Sequence, residues 1–164
     1  MLGLPGTPFL YYGEEVGLGQ SQEAGDRAKR APMPWSEALR QQGESGSLWQ
    51  RYQRLIAVRQ RTPALSDERL QVLGVQVGDA TPPGALALLR GGDGPAPRQR
   101  AVLIYNLAGE PLRGAQVALP TEWLGQRPLE LLTEASYAAV TSDNRARYPL
   151  PDLPARSATW LVSP

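Results

Sequence analysis

The sequence predicts an α+β chain: a buried strand, a long loop and a helix in residues 1–65, then an antiparallel β-sandwich in residues 66–164. An apolar, aromatic run at Phe9–Tyr12 lies between proline and glycine residues. Apolar residues then recur with helical spacing after Ser47, and with a period of two after about Ser66. The 17 Gly and 16 Pro among 164 residues favour short strands joined by many turns.

The first predicted strand, Phe9–Tyr12, is short and apolar enough to be buried on both faces, as strands of parallel sheets are. Pro8 keeps the entry to this run extended, and Gly13 lets the backbone turn away after it. Glu14 and Glu15 follow, so two carboxylates come just beyond the end of the strand. Enzymes built on buried parallel sheets place their chemistry at such strand ends.

Residues 13–46 are predicted to be mostly loop, with a rigid aromatic corner at Pro34 and Trp35. One helical turn is predicted at 36–41, with Ser36 as its N-cap. A loop of this length in a compact chain usually carries function.

The strongest helix prediction begins at Ser47, which forms a capping-box pattern with Gln50. The helix should end at Thr62 and Pro63, because proline cannot continue it. Four apolar residues share one predicted face: Leu48, Tyr52, Leu55 and Ile56.

The remaining chain reads as short strands separated by Gly, Pro and Asp turns, which is the pattern of an antiparallel sandwich. The run Ala101–Leu107 is too apolar for an edge and should be the central strand. The predicted strands are 70–77, 85–90, 98–107, 116–119, 129–133 and 157–162.

Composition excludes several classes of protein. A net charge of +1 lacks the basic surplus expected of a nucleic-acid partner. The absence of Cys and His removes thiolate and imidazole ligands, so we predict no metal site and no cofactor. No apolar run reaches the ~18 residues of a membrane helix, and no basic region precedes the first apolar stretch. We therefore predict no membrane contact and a cytoplasmic location.

Two motifs in the first third resemble a known family. The stretch Gly6–Gly17, followed by Asp26 and by Arg30–Trp35, is similar to the last barrel strand and the loop after it in the α-amylase superfamily of glycoside hydrolases. The α-glucosidase, oligo-1,6-glucosidase and trehalose synthase group resembles it most, whereas the Asp26 to Arg30 spacing is that of neopullulanase-type members. The resemblance leaves open α-1,4, α-1,6 or trehalose-type specificity, and hydrolysis or transglycosylation.

The resemblance implies that residues 1–65 are the last strand, loop and helix of a (β/α)8 barrel and that residues 66–164 are the β-sandwich domain after it. It further implies the C-terminal portion of a retaining glycosidase for α-glucosidic bonds of malto- or isomalto-oligosaccharides. The catalytic Asp, Glu and Asp of the family lie on earlier strands, so we assign no catalytic residue and expect no activity alone. Its expected partners are an α-glucan or oligosaccharide, when the barrel is complete, and the missing N-terminal barrel segment. The alternative is a non-catalytic carbohydrate-binding or assembly β-sandwich module.

Four residues are candidates for substrate binding. Arg30 offers a planar set of donors and Trp35 an aromatic face, which suit sugar hydroxyls and a pyranose ring. The alternative for this pair is structural, with a buried Arg30 held by Asp26 or Glu14. Glu14 and Tyr12 can likewise reach the rim of the site, or serve as a loop hydrogen-bond acceptor and a core residue.

Overall fold

The computed structural model describes residues 1–19, 25–26, 30–92 and 99–163. The chain divides into two units by its internal contacts. The first unit contains Met1–Leu2 and Thr7–Ala57, and the second contains Gly3–Gly6 and Val58–Pro164. It is an α+β chain with antiparallel sheets.

The first unit is built from helices and loop. Helix α1 covers Trp35–Gly43 and helix α2 covers Leu48–Arg61, whose last residues belong to the second unit. A single 3₁₀ turn at Glu14–Val16 precedes them. The side chain of Gln41 in α1 donates to the carbonyl of Val16 at 3.1 Å, so this turn is tied to α1.

The predicted buried strand at Phe9–Tyr12 is not a strand in this structure, and its side chains are exposed rather than buried. The Phe9 side chain is 79% exposed. A parallel strand needs neighbouring strands for its backbone groups. Within the described residues, all paired strands are antiparallel and lie between Leu70 and Val162. The prediction is wrong here because the sequence shows a strand's apolar character but not whether partners are available.

The two helix starts give opposite outcomes. The predicted Ser36 cap is wrong, since α1 begins one residue earlier with Pro34 at the N-cap and no side-chain cap. The Ser47 cap is confirmed: the Gln50 amide donates to Ser47 Oγ at 3.3 Å. Gln50 Oε1 accepts from the Gly46 amide at 3.1 Å, one residue before the position that an ideal capping box uses.

Helix α2 ends at Arg61, in agreement with the predicted stop at Thr62 and Pro63, and α3 (Pro63–Ser66) follows it. Its predicted apolar face is only partly covered. Leu55 and Ile56 are half-buried, whereas the most buried residue of the helix is Val58.

The described residues of the second unit form eight strands: β1 (Leu70–Leu73), β2 (Val75–Gln76), β3 (Ala85–Arg90), β4 (Ala101–Asn106), β5 (Gln116–Val117), β6 (Leu129–Glu130), β7 (Tyr148–Pro149) and β8 (Ser157–Val162). They form one sheet in the order β1-β3-β4-β8-β6 and another in the order β2-β5-β7. Every pairing is antiparallel, as predicted, and β4 is the central strand of the larger sheet. Strand β7 was not predicted, because it has two residues and one is proline.

The core of the second unit takes side chains from both sheets. Val102 and Ile104 of β4 are fully buried and pack in a cluster that includes Val117 of β5 and Tyr148 of β7. The opposite face of β4 is also buried, because Leu103 has no exposed surface. A strand buried on both faces explains why this run is almost wholly apolar.

Candidate functional site

The candidate site lies where Tyr12, just before the predicted loop, meets Ala31 within the loop. The Tyr12 hydroxyl donates to the carbonyl oxygen of Ala31 at 3.0 Å, which joins residues 19 positions apart. The rings of Tyr11 and Tyr12 lie next to each other, with centroids 4.6 Å apart and planes inclined by 46°. The loop therefore brings two phenols beside the backbone that carries Arg30.

Arg30 lies near enough to Tyr12 for its charge to act on the phenol. Burial and the interactions with Tyr11 raise the pKa of the Tyr12 phenol, and the positive charge of Arg30 partly opposes this rise. Arg30 and Tyr12 are both exposed, with Tyr12 at 43%. An exposed guanidinium can donate several hydrogen bonds to one ligand, and the Tyr12 hydroxyl oxygen, whose proton is donated to Ala31, can still accept one.

Glu14 lies in a 3₁₀ turn, near Tyr52 of α2. It is exposed and belongs to the 3₁₀ turn, which its amide begins by donating to the Tyr11 carbonyl at 3.2 Å. Burial raises the pKa of the Tyr52 phenol in α2, and the charges of Glu14 and Glu15 raise it further. The structure thus places Glu14 near Tyr52.

Trp35 begins α1 and leaves 71% of its surface exposed. Its amide donates to the Met33 carbonyl at 3.0 Å, so the backbone turns tightly into the helix there. The indole ring is available to a ligand. Asp26, the proposed structural partner of Arg30, is exposed.

Gln41 is a residue that sequence reasoning missed. It is 7% exposed, and its side chain joins three segments of the first unit. Its Nε2 donates to Val16 and to Glu37 Oε1 (2.7 Å), while its Oε1 accepts from the Trp49 amide at 3.1 Å. A glutamine in an amphipathic helix looks like a surface residue, so the sequence carries no signal for this role.

No group of three or more His, Cys, Asp or Glu side chains that could hold a metal ion occurs among the described residues. In the same part of the chain, every helix is too short or too polar to cross a bilayer.

Comparison with known proteins shows what the sequence of this chain resembles. The chain is 27% identical over 176 residues to a trehalose synthase/amylase of Mycolicibacterium smegmatis, which covers 85% of this chain and 28% of that protein. It is 28% identical over 174 residues to the corresponding Mycobacterium tuberculosis H37Rv protein, covering 85% and 27%. A trehalose synthase of Thermus thermophilus is 50% identical over 38 residues, 23% of this chain and 4% of that protein. No protein-family model matches the sequence.

Solved structures agree on the fold. An α-amylase from H. orenii superposes with a TM-score of 0.65 at 20% identity, over 99% of this chain and 33% of that chain. Amy13B of Eubacterium rectale superposes with a TM-score of 0.61 at 19% identity, over 99% and 32%. The chain spans 28% of the length of its mycolicibacterial relative. The resemblance to glycoside hydrolases of the α-amylase superfamily is therefore confirmed.

Proposed function

We propose that this chain is the C-terminal portion of a retaining glycosidase that acts on α-glucosidic bonds of malto- or isomalto-oligosaccharides, and that it is inactive alone. In this proposal residues 1–65 are the last strand, loop and helix of a (β/α)8 barrel, and residues 66–164 are the β-sandwich domain. The observation that carries the proposal is sequence similarity to trehalose synthase/amylases over 85% of the chain. A cytoplasmic location stays a prediction.

The proposed inactivity follows from the chemistry of retention. A retaining glycosidase needs a nucleophilic carboxylate and a second carboxyl group that converge on one sugar at a separation of about 5 Å. In the resembling family these groups precede the segment matched by Phe9–Tyr12. Glu14 and Glu15 do not replace them, because successive side chains on a 3₁₀ turn diverge by about 120°.

The substrate-binding proposal rests on exposure and neighbourhood. Arg30 presents several donors, the Tyr12 hydroxyl oxygen beside it can accept a hydrogen bond, Glu14 offers an exposed acceptor, and Trp35 exposes a large aromatic face. These groups match what an oligosaccharide offers: hydroxyls at the edge of each ring and an apolar ring face. An α-glucan or oligosaccharide is the proposed ligand.

The proposed macromolecular partner is the missing N-terminal barrel segment. Exposed apolar side chains along the run support this: Phe9 79%, Leu10 37%, Tyr11 42% and Tyr12 43%. A run of this composition is stable in water only when other strands or helices cover it.

Co-expression tests the proposal. The reading frame upstream of this chain is expressed with it, and hydrolysis of maltose, isomaltose and starch is compared with that of the chain alone. The proposal expects activity only when both polypeptides are present. An upstream frame that encodes no barrel strands, or no gain of activity on co-expression, contradicts it.

A non-catalytic carbohydrate-binding or assembly module is the second candidate, and the buried core shared by the two sheets of the second unit favours it. Titration of the isolated chain with maltoheptaose separates the two. Saturable binding by the isolated chain supports the module, and its absence supports the fragment.

In the complete enzyme, we predict that Arg30→Ala or Trp35→Ala lowers kcat/KM by roughly tenfold, because each removes contacts worth about 1.4 kcal/mol. Matched controls are Arg54→Ala and Leu39→Ala, which remove an exposed arginine of α2 and an exposed apolar residue of α1. The loss should depend on substrate length. Equal loss of activity on all substrates, together with lower thermal stability, would show that Arg30 and Trp35 only support the loop.

A further inference from the structure

Arg90, the last residue of β3, has no exposed surface, and its guanidinium donates only to backbone carbonyls in the described residues. Nη1 donates to the Gly3 carbonyl. Nη2 donates to Leu65 at 3.2 Å and to Asp67, and Nε donates to Arg69 at 3.2 Å. One buried side chain thus links residue 3 to the segment after α3.

Arg59 of α2 completes the attachment of the same N-terminal segment. Its Nη1 donates to the Leu4 carbonyl at 2.9 Å and its Nη2 donates to the Gly6 carbonyl at 2.6 Å. Arg59 and Arg90 lie close enough that the charge of Arg59 adds to the effect of burial in lowering the pKa of Arg90. The two like charges can lie close together because carbonyl oxygens of Gly3–Gly6 accept hydrogen bonds from both guanidinium groups.

The segment Gly3–Gly6, which we call the strap, also packs against the outer face of the larger sheet. A methyl group added at Gly3 would lie 2.1 Å from the Tyr105 hydroxyl, 2.8 Å from Leu103 Cδ1 and 3.2 Å from Trp160 Cζ2. Leu103 and Trp160 occupy paired positions on β4 and β8. The strap therefore covers buried side chains on the face opposite to the shared core.

We propose that Arg59 and Arg90 form a clamp that holds the strap on the sheet, and that the strap opens locally when the clamp is weakened. This proposal is independent of whether the loop binds sugar. A strap held by side chains rather than by a strand ladder can detach while the sheet stays folded.

Thiol labelling tests the clamp, because the sequence has no Cys. Leu103→Cys places a thiol under the strap, and Val102→Cys places one on the opposite face of the same strand, in the shared core. Labelling of the first reports strap opening, and labelling of the second reports unfolding of the sheet. Each is combined with Arg59→Lys and, separately, with Arg90→Lys. Lysine keeps the charge but cannot donate to several carbonyls in one plane.

The clamp predicts that Arg59→Lys speeds labelling of the Leu103→Cys thiol at least tenfold and changes labelling of the Val102→Cys thiol less than twofold. Arg54→Lys, an exposed arginine on the same helix, should change neither rate. Arg90→Lys should also speed labelling of the Leu103→Cys thiol. If Arg90→Lys prevents folding, the labelling rates of the Arg59→Lys variant test the proposal on their own. Equal acceleration at both thiols, or none at either, overturns the proposal.

Discussion

At the residue scale, the two most buried charged side chains of the second unit are held mainly by backbone groups. Arg90 donates to four carbonyls. Glu130 is 3% exposed and accepts from the amides of Leu132 and Thr133, from Thr133 Oγ and from the Trp160 amide. These two buried charges are tolerated because each is surrounded by hydrogen-bond partners.

Glu130→Ala should lower the free energy of unfolding by about 3 kcal/mol, because it leaves the buried amide of Trp160 and the part-buried amides of Leu132 and Thr133 without an acceptor. Glu134→Ala is the matched control, since its carboxylate is largely exposed and forms one weak ion pair with Arg61 at 3.6 Å. Urea unfolding of both variants measures the difference. Similar stability of the two variants would show that water replaces the Glu130 carboxylate as the acceptor for these amides at little cost.

Tyr105 should make the second unit sensitive to alkali. Burial raises the pKa of its phenol from the usual 10.0 to about 12, and the charge of Arg90 only partly offsets this. The folded state therefore keeps a proton that the unfolded state loses, so the stabilisation is complete below pH 10 and is lost as pH rises toward 12. The full loss is at most about 3 kcal/mol.

Urea unfolding of the parent and of Tyr105→Phe at pH 8 and pH 11 checks this dependence. The stability of the phenylalanine variant should fall less between the two pH values than that of the parent. Parallel decline of both proteins would assign the alkaline loss to other groups.

The sequence could not reveal these buried charges. Arg90 ends a strand and Glu130 lies in a short one, which are positions where charged residues usually face solvent. Their partners come from residues as distant as Gly3 and Trp160. Tyr12 and Arg30, by contrast, were predicted to share a site because the two motifs that contain them resemble one strand and the loop after it in the same family.

At the element scale, the sequence pattern predicted correctly those strands and helix ends that depend on neighbouring residues in the chain. The strands β3, β4 and β8 agree closely with their apolar runs, and α2 begins at its capping residue. Phe9–Tyr12 failed because a parallel strand exists only with partner strands beside it. The sequence also did not show that Ser36 would lie inside a helix that starts at Trp35.

The two serines give a direct test of helix capping. Ser47→Ala removes the acceptor for the Gln50 amide and a hydrogen bond to the Gln41 carbonyl at 2.6 Å, so it should destabilise the first unit by about 1 kcal/mol. Ser36→Ala should be neutral or slightly stabilising, because Ser36 is exposed within α1 and alanine favours helix. Thermal unfolding followed by helical circular dichroism compares them. An equal loss of thermal stability in both variants would show that Ser47 does not stabilise the helix as a cap.

At the scale of the whole molecule, the two units differ in how their stability is supplied. The second unit has two sheets and a core of its own, with β4 buried on both faces. The first unit has two helices and exposes the aromatic run Phe9–Tyr12. This contrast agrees with the proposal that the second unit folds by its own contacts, whereas the first unit needs barrel strands from another segment to cover its aromatic run.

Hydrolysis of a chromogenic α-glucoside by the purified chain tests the central claim most directly. We expect no rate above the blank, with maltose, isomaltose and starch equally inert, because the catalytic carboxylates of the resembling family precede the segment matched by Phe9–Tyr12. Turnover that persists in a contaminant-free preparation and disappears in Glu14→Gln or Glu15→Gln would contradict the claim and assign catalysis to this chain.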